Sequence, residues 1–223
     1  MTTTYVLIAG LPGSGKGTLA KNLASRFECT HVSCGDVFRD EIRRQTPFGL
    51  NAIKYIEKGQ LTPDGDTSRI FLSHLSALST GNYLLEGYPR TTTQLREFER
   101  HLDETRRTLN SVLYLDVVRD ELIRRVTDRR TCKTCGAIYN LRTKHPRQTD
   151  ICDIDGTPLM QRPDDQPAVA ASRITLYEEK ERDVLAHFRA NARFENVAAG
   201  TSAEDVLETA ASLLAPLLVK RRN

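Results

Sequence analysis

The stretch GLPGSGKGT, Gly10 to Thr18, combines residue types and spacing suited to holding phosphate. Gly10-x4-Gly15-Lys16 follows an apolar run of β-formers and opens a helical pattern, the context that makes such a motif a phosphate loop. Glycines let backbone N–H groups turn inward as an anion-binding nest, and the helix N-terminus adds partial positive charge. Lys16 supplies a mobile full charge for β- and γ-phosphates. Gly17 stands between Lys16 and Thr18, so the hydroxyl that serves Mg²⁺ in the general motif is displaced by one residue.

A second constellation reads C-x2-C-x16-C-x2-D, from Cys132, Cys135 and Cys152 to Asp155. This is the spacing of a paired zinc knuckle. Gly136 and Gly156 follow the second ligand of each half, where the chain must turn tightly, and this symmetry makes Asp155 the natural fourth ligand. Asp153 breaks the symmetry, and His145, the main rival, has a spacing that fits neither half. Four filled positions leave no place for a catalytic water, so a Cys₃Asp zinc site is structural. The segment has few apolar residues, and a bound metal would fold it. Five cysteines, three of them in this pattern, suit a reducing compartment and metal binding better than disulfides.

The displaced loop resembles that of the nucleoside monophosphate kinases. Downstream, SCGDVFRDEIR (33–43), EGYPRTTTQ (86–94), RRVTDRR (124–130) and RPDDQ (162–166) resemble, in order, segments of adenylate kinases. The resemblance runs over essentially the whole chain and implies phosphoryl transfer from MgATP to AMP. It implies a triphosphate side of Gly13, Ser14, Gly15, Lys16, Gly17, Thr18, Arg125, Arg129, Ile138, Tyr139 and Ser202. It implies a monophosphate side of Cys34, Arg39, Gln60, Leu61, Thr62, Gly87, Tyr88, Pro89, Arg90, Gln94, Arg162 and Arg173. By the same resemblance Lys16, Arg90, Arg125, Arg129, Arg162 and Arg173 are expected as the catalytic cations, Glu86 as the acid near Mg²⁺, and Gln94 as the reader of adenine. Tyr139 equally suits packing against the knuckle. The Cys₃Asp set matches some zinc-bearing lids of the family.

The chemistry fits these residue types. Two polyanions must be held in line with water excluded, and the planar arginine fork grips phosphate bidentately. No general base is required, because a nucleotide phosphate is already an ionised nucleophile. Asp164 and Asp165 are expected both to cap the helix that follows, the firmer role, and to orient arginines. Arg106, Arg124 and Arg130 read as solvated. Glu86 stands where the family carries Asp, Cys34 where Thr or Ser is common, and Leu19 where Gln is frequent. Cys34 motivates one alternative, a kinase with another base preference. A zinc-ribbon nucleotide-binding regulator without turnover is a second.

Elements that could position these groups follow from pattern. Strands are expected near 5–9, 29–33, 83–87, 111–117 and 193–199. Helices are expected near 16–27, 36–58 (broken before Pro47), from Asp64 or Asp66 as cap to 78, 91–107, 119–129, 164–190 and 203–218. Residues 130–162 show no regular pattern, and the final KRRN reads as a solvated tail. Alternation predicts an α/β fold: a phosphate-loop-type parallel sheet with helices on both faces, a helical monophosphate-binding insert and a small zinc-bound lid. The expected divisions are a core of 1–32, 63–127 and 166–223, an insert of 33–62 and a lid of 128–165.

Hydrophobic content of 39% and charged content of 27% suit an ordinary core, and a net charge of +3 gives no field for nucleic acid. No apolar run approaches a membrane span, and the first residues read as a strand, not a leader. A cytoplasmic monomer working on ATP, AMP and ADP is the expectation, without nucleic-acid or membrane partners.

Overall fold

Strand β1 (Thr4–Ala9) explains the architecture. Its alternate side chains enter two different cores: Tyr5 and Leu7 join one cluster, Val6 and Ile8 the other. A strand buried on both faces belongs at the centre of a covered parallel sheet. The computed structural model describes residues 3–200 and 202–218 and places β1 there. β2 (Thr30–Ser33), β3 (Asn82–Glu86), β4 (Thr108–Asp116) and β8 (Phe194–Ala198) complete a five-stranded sheet. Its order is β2-β3-β1-β4-β8, with every pairing parallel. The chain leaves β1 toward one edge and later returns on its other side, so a crevice opens at the carboxyl end of β1.

Helices α1 (Lys16–Phe27) and α8 (Ala203–Leu218) cover the face of Val6 and Ile8. On the other face lie α2 (Cys34–Arg43), α3 (Pro47–Ile56), α4 (Asp64–Ser76), α5 (Thr92–Thr105) and the long α7 (Pro167–Asn191). α6 (Arg119–Thr127) follows β4. Thr46 caps α3, accepting from Gly49 N at 3.1 Å, and Pro47 opens it as expected.

The structure corrects three expectations. Residues 130–162 do contain regular structure: β5 (Arg129–Cys132) sits between β6 (Ile138–Asn140) and β7 (Leu159–Met160) in an antiparallel sheet. Neither Asp64 nor Asp66 caps α4; Pro63 occupies that position and Asp64 turns its carboxylate elsewhere. Nor do Asp164 and Asp165 cap α7: they form a separate 3₁₀ turn, Pro163–Asp165, and Gln166 precedes the helix. The tail at 220–223 lies outside the described residues. Among the described residues no helix is long and apolar enough to cross a membrane.

Candidate active site and metal centre

The crevice at the end of β1 is floored by the glycine loop. A side chain at Gly13 (φ +89°) would place its Cβ 2.7 Å from Leu122 O, so only glycine lets the loop pack this closely on α6. Gly15 precedes α1 in a left-handed conformation and no side chain caps the helix, which leaves its first N–H groups to face an anion. Lys16 is 7% exposed and donates from Nζ to Leu11 O at 2.9 Å. Burial, then the Arg90 charge, pushes its amine down to about 8, against the pull of Glu86 and Glu181. The Ser14 hydroxyl is buried with no hydrogen-bond partner, while Thr18 is exposed.

Glu86 ends β3 beside this loop and accepts from His31 Nε2 at 2.9 Å. Burial alone would raise its carboxyl; the His31 bond and the Lys16 charge outweigh that and hold it at about 2. A Cβ at position 17 would come within 3.3 Å of Glu86 Oε2, so Gly17 makes room for the longer acid.

On the side expected to take the monophosphate, Arg90 is held from several directions. Its Nε donates to Gly87 O at 2.9 Å, its Nη1 pairs with Glu181, and its guanidinium lies 4.4 Å from the Tyr177 ring centre. Gln94 is 1% exposed: Oε1 accepts from Arg90 N and Nε2 donates to Asp64, each at 2.8 Å. Thr91 Oγ1 donates to the other Asp64 oxygen at 2.9 Å. Tyr88, joined to Pro89 by a cis bond, donates to Ser68 Oγ at 2.9 Å. Cys34 is buried among apolar groups, and burial pushes its thiol up to about 12. Arg39 is exposed and pairs with Asp36 at 2.5 Å. Thr62 bonds Thr67 at 2.6 Å, Leu61 is half-buried and Gln60 exposed.

The third group gathers where β5 meets α7. Arg129 and Arg173 both approach Asp165, and Arg173 Nη1 lies 2.6 Å from Asp164. Arg162 Nε donates to Thr131 Oγ1 at 3.1 Å. Burial, then the Arg129 and Arg39 charges, pushes the Arg162 guanidinium down to about 9. The charges of Arg90 and Arg173 thus act on Lys16, and those of Arg129 and Arg39 on Arg162. Arg125 stands apart, paired with Glu121 of its own helix at 2.8 Å. Ile138 is half-buried on β6. Tyr139 turns its ring into the cysteine cluster: its hydroxyl accepts from Asp153 N at 2.8 Å and lies 3.6 Å from Cys152 Sγ. Ser202 spends its hydroxyl at the start of α8, accepting from Asp205 N at 3.1 Å.

The cysteine cluster can hold a metal. One ligand atom each from Cys132, Cys135, Cys152 and Asp155 lies within 4.8 Å of the others. Cys135 and Cys152 sulfurs are 3.5 Å apart, and Asp155 oxygens are 3.3 and 3.4 Å from Cys132 Sγ. Tetrahedral zinc, with bonds of about 2.3 Å, sets sulfurs about 3.8 Å apart, so the set fits. The two halves are the same turn: Gly136 N donates to Cys132 O at 3.2 Å and Gly156 N to Cys152 O at 3.0 Å, both glycines at φ +71°. Asp153 is occupied elsewhere, accepting from Arg147 N at 2.8 Å, and His145 lies outside the group.

Pattern reading missed Asp64, His31, Tyr177 and Glu181. The last two follow Arg173 at steps of four residues, which places all three on one stripe of α7. That spacing was the available signal. Asp64 and His31 meet their partners only through the tertiary fold.

A glycine loop between β1 and α1, beneath buried cations at a sheet's switch point, defines a phosphate-loop nucleotide phosphotransferase. The family model described as Adenylate kinase matches residues 8–193. The chain is 36% identical over 204 residues to the adenylate kinase of Caldanaerobacter subterraneus subsp. tengcongensis, covering 91% of this chain and 92% of that one. It is 37% identical to that of Carboxydothermus hydrogenoformans, over 90% of this chain and 94% of the other. To that of Staphylococcus aureus it is 33% identical, over 94% and 98%. The chain belongs to the adenylate kinase family.

Proposed function

We propose that the protein transfers the γ-phosphoryl group of MgATP to AMP, reversibly, giving two ADP. The observation that carries this is the crevice at the glycine loop, lined by Gly10, the buried Lys16 and the half-buried Arg90. An oxygen of the AMP phosphate attacks the γ-phosphorus. The new P–O bond forms as the bond to the β–γ bridging oxygen breaks, and ADP leaves with that electron pair. No proton has to be removed first. The site's work is alignment and stabilisation of charge on the transferring group.

Lys16 and the backbone from Gly13 to Thr18 hold the triphosphate, with Arg125 and Arg129 beside it. Ile138 and the backbone at Tyr139 and Ser202 stand on the same side. Arg39 and Arg90 hold the monophosphate, with Cys34 and the backbone from Gly87 to Pro89 near it. Arg162 and Arg173 reach the transferring group as the lid closes and water leaves. Gln94 keeps one amide N–H beyond the one given to Asp64, a donor for the ring nitrogen of adenine. Gln60, Leu61 and Thr62 line that base. Magnesium enters with ATP as part of the substrate, near Glu86.

Cys132, Cys135, Cys152 and Asp155 hold zinc in this reading, and the metal supplies structure, not chemistry. The functional division is the core (1–32, 63–127, 166–223), the monophosphate insert (33–62) and the lid (128–165). The protein acts as a cytoplasmic monomer on ATP, AMP and ADP, without nucleic-acid or membrane partners. A coupled assay with ATP and a panel of nucleoside monophosphates tests the proposal. AMP is expected as the preferred acceptor; no turnover with any acceptor refutes it.

A further inference from the structure

Glu181 is a buried carboxylate with no part in the chemistry above. It is 5% exposed and lines the same crevice as Lys16, Gly10, Gly87 and Arg90. An uncompensated negative charge there would oppose phosphate binding and would be costly to bury. Its surroundings offset part of that cost, and burial still leaves its carboxyl above the ordinary value. Glu181 pairs with Arg90 Nη1, and the Arg90 and Lys16 charges both face its carboxylate.

Among the described residues, Glu181 is the one carboxylate paired with Arg90. Arg90 comes from the turn after β3, whereas Glu181 comes from α7. The Tyr177 ring, one helical turn before Glu181, lies under the Arg90 guanidinium at 4.4 Å and within 5.4 Å of the Arg173 guanidinium. Arg173, Tyr177 and Glu181 therefore form a stripe of α7 that receives Arg90. The guanidinium has five N–H donors in a rigid plane. One goes from Nε to Gly87 O and one from Nη1 to Glu181. Three remain, enough for a two-point grip on phosphate.

We infer that Glu181 is a positioning residue for phosphoryl transfer: from α7 it fixes the Arg90 guanidinium so that its remaining N–H groups face the acceptor nucleotide's phosphate. The inference rests on the proposed reaction. A free arginine side chain samples many rotamers, and holding one of them before substrate arrives removes that ordering cost from the binding step. The effect should therefore concentrate on the nucleotide that Arg90 grips.

The experiment is steady-state kinetics in both substrates for wild type, Glu181→Gln and Glu181→Ala, with thermal melts of each. Glu181→Ala should lower kcat/KM for AMP about tenfold or more while KM for ATP stays within about twofold. Glu181→Gln, whose carbonyl still accepts from the guanidinium, should fall between wild type and Glu181→Ala. Wild-type kinetics in both variants overturn the inference. So does an equal rise in KM for ATP and AMP, or tighter AMP binding, which would make Glu181 a mere competitor of phosphate. If Glu181→Ala does not fold, the near-isosteric Glu181→Gln decides by the same AMP-against-ATP comparison. An inactive wild type strikes the proposed function first and this inference with it; an active wild type with unaltered variants strikes the inference alone.

Discussion

Asp165 grips Arg129 with both carboxylate oxygens, 2.8 Å to Nε and 2.5 Å to Nη2, and is itself fully buried. The two residues belong to different elements, the 3₁₀ turn before α7 and the first strand of the small sheet. Arg173 of α7 stands 3.7 Å from the same carboxylate. One acid thus serves a cation on each side of the junction. Removing it takes the counter-charge from the half-buried Arg129, while Arg173 keeps Asp164 at 2.6 Å. Asp165→Ala should therefore destabilise the fold by about 3 kcal/mol or more, since breaking a buried pair strands a charge. Denaturant unfolding measures this; a loss no larger than that of an exposed acid, such as Asp36→Ala, contradicts the anchoring role.

Metal content gives a second expectation. Protein purified without chelator should carry about one zinc per chain. Asp155→Ala should lower the melting temperature far more than Asp153→Ala, because Asp153 only accepts from Arg147 N at 2.8 Å. Elemental analysis and paired melts check both. No zinc, or equal effects of the two substitutions, rejects the ligand set.

The Lys16 amine, held at about 8 by burial and the Arg90 charge, should appear in the pH profile. Below that value the amine is charged and ready for phosphate; above it the free enzyme loses the charge. The ratio kcat/KM for ATP should thus fall about tenfold per pH unit on the alkaline side, since this ratio reports the free enzyme. Bound phosphates keep the proton on Lys16, so the fall in kcat should come at higher pH. A kcat/KM that stays flat to pH 10 would contradict this.

Glu86 should contribute to acid resistance. Its folded carboxyl sits at about 2, below the ordinary 4.5, so its stabilisation is complete above 4.5 and is lost as pH falls through 2. A shift of that size corresponds to about 3 kcal/mol. Glu86→Gln should accordingly be less stable than wild type at pH 6, with the gap closing toward pH 2. Urea unfolding at several pH values tests this; a gap independent of pH refutes it.

The phosphate loop was legible because its chemistry is contiguous: the glycines, Lys16 and the flanking apolar runs all lie within 20 residues. The cluster of Cys132, Cys135, Cys152 and Asp155 was legible because its members keep a regular spacing in two short turns. The strands β5 to β7 were not, because their side chains obey other demands. Cys132 belongs to the cysteine cluster, Arg129 to Asp165, and Tyr139 to Cys152, which leaves no period-two alternation to read. Asp64 resembled a helix cap because local pattern cannot foresee Gln94, 30 residues away, as its partner. Glu181 carried a spacing signal but resembled a solvated charge on a polar helix until the fold brought Arg90 to it.

The position of β1 also has a consequence for synthesis. This strand is made before both of its hydrogen-bonding neighbours, Asn82–Glu86 and Thr108–Asp116. At roughly 5–20 residues per second, about 5–20 s separate the making of β1 from the completion of both partners. Until β3 is made the apolar run from Tyr5 to Ile8 has no partner strand, and until β4 is made one of its edges stays open. The glycine loop acquires its walls only when β4 and α6 have followed it.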